Sequence, residues 1–250
     1  MQIDKKATPA ELKPAGTPAA SAMGERVEMH GVSPLAYCSP DMFKPFDGYP
    51  GVCALARDMD MRLLWCNMEY ARMCKRTPEQ LIGTTMHDLM TPEMADERKA
   101  RMLEIWHSGK PGRYFQVWND HRYLTTIWRL DPKWRGKEGL FVMIVRAVAF
   151  EPEMNADSVD VISTPHLDKL EKLSRREMEV LYLTALGMST DEIAKHIHRA
   201  PKTVENHIAS ITEKMNFKRR TELVRFAAQR GLTAFAEHEW AKIASKKSDN

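Results

Sequence analysis

The apolar positions change period as the chain proceeds. Residues 52–58 (VCALARD) and 62–67 (RLLWCN) are short apolar runs parted by Asp58-Met59-Asp60-Met61, which predicts two strands and a hairpin turn. From residue 68 the spacing is helical. Residues 68–76 form one candidate helix, and Thr77-Pro78-Glu79-Gln80 starts another, with Thr as N-cap, Pro at the first position and Gln at the third. Gly83 ends it, and residues 85–90 fit one more helical turn. Thr91-Pro92-Glu93 repeats the start signal before a longer helix whose inner face is predicted as Met94, Arg98, Arg101/Met102, Ile105 and Trp106. Gly109, Pro111 and Gly112 stop it. Three strand candidates follow, 113–120, 121–130 and 140–150, the last two separated by a turn-rich segment at 131–136. Hairpin-joined strands around a helical middle predict an α+β domain, an antiparallel sheet with helices on one face.

Residues 151–165 are polar and without period, and read as a linker. From 166 to 231 the period is 3.6 throughout. Ser174 and Glu177 make a capping box, and Gly187 closes that helix. Ser189 or Thr190 caps the next, whose apolar face is Ile193, Ala194 and Ile197. His198-Arg199-Ala200 turns the chain, and Pro201 opens a helix with Val204, Ile208, Ile211 and Met215 on its inner face. Glu205, Asn206, Ala209 and Glu213 point away from that face. A fourth helix, 220–231, carries Leu223, Val224, Phe226 and Ala227. This is an all-α four-helix unit, and helices joined by a tight turn also occur in bundles that never meet nucleic acid. Residues 232–250 form a C-terminal extension that can hold one more helix, with Phe235 and Trp240 available for packing. Residues 1–50 read as a disordered or loop-rich arm, rich in Ala, Pro and Thr.

Charge sharpens the division. Residues 169–232 hold thirteen Lys/Arg against eight Asp/Glu, a net of +5, although the whole chain is only +3. The excess positive charge lies in the helical unit, which suits a polyanionic partner for that part alone. No apolar run is long enough for a membrane helix, and the N-terminus lacks the apolar stretch of a secretory signal, so a cytoplasmic protein is expected. Cys38, Cys53, Cys66 and Cys74 lack zinc-site spacing and are expected as free thiols, a redox role staying open.

The stretch ALARDMDMRLLWCNMEYARMCKRTPEQLIGTTMHDLM, with its hairpin, Asn67 after the second strand and the TPEQLIG helix, resembles a PAS domain covering about residues 51–150. The resemblance implies a sensory and dimerising module that binds varied ligands or none. Residues 173–232 are similar, nearly end to end, to the LuxR-type helix-turn-helix domain; Leu173, Arg176, Glu177, Glu179, Gly187, Glu192, Ile193, Ala194, Thr203, Val204, His207, Lys214 and Arg220 are among the matching positions. That resemblance implies a transcription regulator whose helix from Pro201 enters the DNA major groove. Glu205, Asn206 and Ala209 then face bases: Asn206 can pair with adenine, Glu205 can accept from a cytosine amine and Ala209 can touch a thymine methyl. Lys202, Thr203, Ser210 and Lys214 are expected at phosphates, with Arg219 and Arg220 as further contacts. His207 fits a DNA contact and a packed histidine equally. Glu205 stands where relatives often have a basic residue, Ala200 where a capping Ser is usual, and Thr190-Asp191 where a basic or amide pair is common.

The expected partners are double-stranded DNA, a second copy of the chain, RNA polymerase, and a small molecule in the PAS-like domain. The cofactor stays unknown. His87, His107 and His121 are candidate haem ligands, and Trp65, Trp106, Trp118 and Trp128 line a cavity or simply form core. No nucleophile–base pair, metal set or phosphate loop argues for an enzyme. The alternative function is a protein-interaction modulator that pairs through its PAS-like domain and binds DNA weakly or not at all. Operator, signal and direction of regulation are not written in the sequence.

Overall fold

The structure, a computed structural model, describes residues 37–148 and 159–245. Most of the expected N-terminal arm and the first half of the expected linker lie outside the described residues, as do residues 149–150 of the last strand candidate and the tail from 246.

The N-terminal region is one seven-stranded sheet. Its strands are β1 (Tyr37–Cys38), β2 (Val52–Asp58), β3 (Leu63–Cys66), β4 (Gly112–Trp118), β5 (His121–Leu130), β6 (Gly139–Arg146) and β7 (Asp160–Val161), in the order β3-β2-β6-β5-β4-β7 with β1 added in parallel to β5. The pairs from β3 to β4 are antiparallel, and β7 runs parallel to β4. Between β3 and β4 come α1 (Met68–Met73), α2 (Pro78–Leu81) and α3 (Pro92–Ser108). Asn67 caps α1 through Tyr70 N, and the Thr77–Gln80 capping box forms as its residue types dictate. Thr91 starts α3 without a side-chain cap bond, and Gly109 ends it in the left-handed conformation at φ 70°.

The period of two along each strand divides the sheet's side chains into two faces. Leu55, Tyr114, Ile127, Leu140, Val142 and Ile144 face the helices and pack on Tyr70, Leu81, Met94, Met102 and Ile105. The opposite face is covered as well. Ala54, Ala56 and Phe141 lie with Trp134 in one small cluster, while Phe115, Val117, Leu124 and Ala147 join the core of the C-terminal domain. That is why β6 (GLFVMIVR) reads as a nearly unbroken apolar run: both of its faces are covered.

The stretch 151–165, expected as a linker, is structured from residue 159 on. β7 extends the sheet at β4, Ile162 N donates to Phe115 O, and His166 bridges to Trp118. Three residues of α3 hold this segment. Glu97 accepts the backbone N–H and hydroxyl of both Ser163 and Thr164, Arg98 donates to the Thr164 hydroxyl and carbonyl, and Arg101 pairs with Asp160. Burial pushes the Glu97 carboxyl up, but the bonds from Thr164 and Ser163 outweigh it and hold the group below the usual carboxylate value.

The strand candidates 113–120 and 121–130 meet in a two-residue turn. Asn119 and Asp120, assigned to the first strand from sequence, have φ 48° and 62°, as a tight hairpin of this hand requires. Asp120, only 1% exposed, turns its carboxylate onto the backbone N–H groups of Asp168, Lys169 and Leu170. The hairpin tip thereby fixes the segment that leads into the C-terminal helices.

Those helices are α4 (Arg175–Ala185), α5 (Thr190–His196), α6 (Pro201–Lys214), α7 (Arg220–Gln229) and α8 (Glu237–Ser245). Ser174–Glu177 and Ser189–Glu192 both form full capping boxes. The C-terminal extension packs on this domain. Trp240 Nε1 donates to Met178 O at 3.1 Å, its ring stacks on Tyr182, and the Tyr182 hydroxyl donates to Phe235 O.

Candidate nucleic-acid interface

α6 has a buried apolar side and a broad polar face. Its inner side packs through Val204, Ile211 and Met215, with Ile208 partly buried. Lys202, Glu205, Asn206, Ala209 and Glu213 are all exposed. Their spacing (3, 1, 3 and 4 residues) places them on one side of the helix. Asn206 and Ala209 make no contact that would have to break before docking. Glu205 pairs with Lys202 at 3.1 Å, so its charge is partly offset on the helix surface. Both partners are well exposed, and such a pair contributes only about 0.3–0.5 kcal/mol.

The other predicted contacts divide. Thr203 and His207 are half-buried on the flank of the helix. Arg219 is exposed at the start of α7. Ser210 and Lys214 are engaged inside the domain: the Ser210 hydroxyl donates to Glu177 at 2.6 Å, and Lys214 Nζ lies 2.9 and 2.7 Å from the two Glu177 oxygens. Arg220 donates to Met188 O and to the Thr190 hydroxyl, tying α7 to the start of α5. Arg199, in the turn before α6, and Lys218, in the loop after it, are exposed and bring two further cations outside the expected contact set.

α6 begins without a cap. Ala200 is the N-cap residue and offers no side-chain acceptor, so the first amides of the helix are left to Ala200 O and to solvent. Ala200→Ser will supply that acceptor. The variant is expected to be more stable by about 1 kcal/mol in urea denaturation; an unchanged or lower midpoint would show that the hydroxyl does not reach the Thr203 amide.

In the sheet domain, a cavity of about 30 Å³ lies between the helices and the sheet, lined by Arg57, Tyr70, Arg98, Tyr114, Gln116 and Trp118 among others. It has room for about one water molecule, so an organic ligand needs the helices to move outward. Of the four candidate tryptophans only Trp118 reaches it; Trp65 and Trp128 lie on the opposite face, and Trp106 packs against Arg129. The candidate histidines are placed apart: His87 pairs with Asp96, His107 bonds Leu103 O, and His121 bonds Asn119 O. Burial drives the thiols of Cys53 and Cys66 up to about 12, so they are poor nucleophiles at neutral pH.

Family models match both halves of the chain. Residues 171–227 match that of bacterial regulatory proteins of the luxR family, and residues 46–145 match the PAS fold. One stretch of the chain thus matches the PAS fold and a second, separate stretch the luxR family. The luxR-type domain is similar to oxygen regulatory protein NreC of Staphylococcus carnosus, 41% identical over 68 residues, which is 27% of this chain and 31% of NreC. It is also similar to response regulator protein VraR of Staphylococcus aureus, 44% identical over 62 residues, 25% of this chain and 30% of VraR. The chain thus spans about a third of the length of the curated relatives it matches. A solved Vibrio cholera VqmA–ligand–DNA complex aligns with 80% of this chain and 92% of its own, at 20% identity and a TM-score of 0.45. α5 and α6 both lie inside the stretch that matches the luxR family. No described helix is long and apolar enough to cross a membrane.

Proposed function

We propose that this chain is a sequence-specific DNA-binding transcription regulator that acts as a homodimer, with the PAS fold sensing a signal that acts on the luxR-type domain. The observation that carries this is the unobstructed face of α6. An α-helix fits the major groove, and an amide side chain at its centre can make two hydrogen bonds to one adenine. Asn206, Glu205 and Ala209 are the base-facing set, Lys202, Arg199 and Arg219 neutralise phosphates, and the Thr203 hydroxyl donates to one. The start of α6 adds the Lys202 amide and the positive end of the helix dipole where a phosphate can sit. Ser210, Lys214 and Arg220 contribute mainly by holding α6 and α7 in place. A two-fold repeated site follows from two copies bound to one duplex, and RNA polymerase is the partner on which such a dimer acts.

The test is selection of duplexes from a random library, followed by fluorescence anisotropy on the enriched sequence. A dimer that neutralises about six phosphates should lose roughly three decades of affinity between 50 and 200 mM salt. Asn206→Ala should weaken the selected site about tenfold while leaving nonspecific binding unchanged. No enriched sequence, or an enriched sequence bound without salt dependence, would overturn the reading. The protein-interaction modulator would then be favoured, and one observation already points its way: three of the ten predicted contact residues are tied up inside the domain.

A further inference from the structure

The central PAS cavity is small, and its two buried guanidiniums donate to carbonyls, hydroxyls and an amide. A larger cavity, of about 310 Å³, lies at the seam between the PAS fold and the luxR-type domain. That volume is within the range of small-molecule pockets. Its walls come from both domains: His121 and Arg146 from the ends of β5 and β6, Lys75 from the loop after α1, and Asp168 and Arg230 from the C-terminal side.

The charges in this cavity do not balance. Arg72, also in the wall, is neutralised by Glu69. What remains is Lys75, Arg146 and Arg230 against the carboxylate of Asp168 in the wall and that of the buried Asp120 beside Arg230, a net of one positive charge. Among the described residues the Arg146 side chain has no hydrogen bond and no ion pair. Arg230 lies flat on Phe226, 3.7 Å from the ring centre, with one long bond of 3.5 Å to Phe226 O, and its Nε is buried without a partner. Burial lowers the pKa of both His121 and Arg230; Arg146 and Arg230 repel each other and act against a proton on His121, while Asp120 acts the other way on both. Like charges are thus gathered around a hollow with donors unspent.

We infer that this seam is a binding site for a compact multivalent oxyanion, a phosphate ester or a polycarboxylate, held between Arg146 of the PAS fold and Arg230 of the luxR-type domain. Guanidinium forks bind such groups through paired charge-assisted hydrogen bonds. The ligand would relieve the repulsion and give the Arg230 Nε–H an acceptor. Because one arginine comes from each domain, its binding also clamps the two together. The site is separate from α6 and does not depend on what α6 binds.

Isothermal titration calorimetry on the full chain, with pyrophosphate and with citrate at matched ionic strength, tests this. At least one probe should bind saturably, and preference for pyrophosphate or for citrate identifies the source as phosphate ester or polycarboxylate. Arg146→Glu, at an exposed position without bonds to lose, should weaken binding tenfold or more with an unchanged melting curve. Arg230→Gln should do the same, while Lys202→Ala on α6 should have no effect. Absence of saturable binding by either probe, wild-type affinity in Arg146→Glu, or loss of binding in Lys202→Ala would overturn the inference.

Discussion

Glu97→Ala will release residues 160–166 from the sheet while the rest of the PAS fold stays formed. The Glu97 carboxylate accepts four hydrogen bonds, from the amide and hydroxyl of Ser163 and of Thr164, and both of those residues are buried. β7 pairs through only two residues, so the ladder by itself holds little. Hydrogen bonds to a charged group contribute about 1.5–3 kcal/mol each where they cannot be replaced by water, and an orphaned buried amide costs about 1–3 kcal/mol. The segment can recover part of this by swinging into solvent, so a local loss of about 3 kcal/mol is expected. Hydrogen exchange reads it directly: the amides of Ile162, Ser163 and Thr164 should exchange roughly 100-fold faster, with β2 and β6 unchanged. Because the folded-state pKa of Glu97 is lowered, its contribution is present above the usual carboxylate value and disappears as the pH falls through the folded one. Unaltered exchange in the variant would mean that Arg98 and Arg101 suffice to hold the segment.

Glu177→Gln will destabilise the luxR-type domain by about 2–3 kcal/mol and flatten its response to acid. Burial of Glu177 raises its pKa, but Lys214, Ser210 and the Ser174 amide overcome this and bring it to about 2, against an ordinary value of 4.5. A carboxylate so shifted stabilises the folded state fully above pH 4.5, and that stabilisation drains away as the pH falls toward 2. The full shift corresponds to about 3 kcal/mol. The figure is an upper bound because the Lys214 side chain is 40% exposed and is rehydrated when the pair breaks. Glutamine keeps the cap bond yet cannot hold both Ser210 and the ammonium of Lys214. In chemical denaturation the wild type should lose about 2–3 kcal/mol between pH 5 and 2 from this group. The variant should start lower and lack that loss. An acid limb identical in both proteins would remove Glu177 as its source.

Local rules carried far in this chain. The capping boxes at Thr77, Ser174 and Ser189 need only two residue types three apart, and all three form. The spacing of Val204, Ile211 and Met215 marked which side of α6 is buried, and hence which side is free. What stayed hidden depends on partners distant in sequence. β7 is two residues in a polar stretch, and its place is set by Glu97, Arg98 and Arg101, about 60 residues earlier. Asp120 looked like the end of a strand because its acceptors' partners lie 48 to 50 residues on. Lys214 looked like a phosphate contact because a lysine on a recognition helix usually is one; only the packing of α4 against α6 brings Glu177 to it. The second covered face of the sheet was legible in the apolar run of β6, though not what covers it.

The hairpin tip at Asp120 bears on how this protein can be recombined. Its carboxylate holds the start of the luxR-type domain, and Gly231 at the far end of α7 comes so near Ala147 O that a Cβ there would lie 2.4 Å from it. A chimera cut in the stretch 149–158, which looks like the natural place to splice, severs neither contact but separates each half from its mate. A new sensor placed before residue 159 would have to bring its own acidic hairpin tip, its own counterpart of Glu97, and a strand end that tolerates a glycine pressed against it. The transferable module therefore begins in the chain after the splice and ends inside the sheet before it.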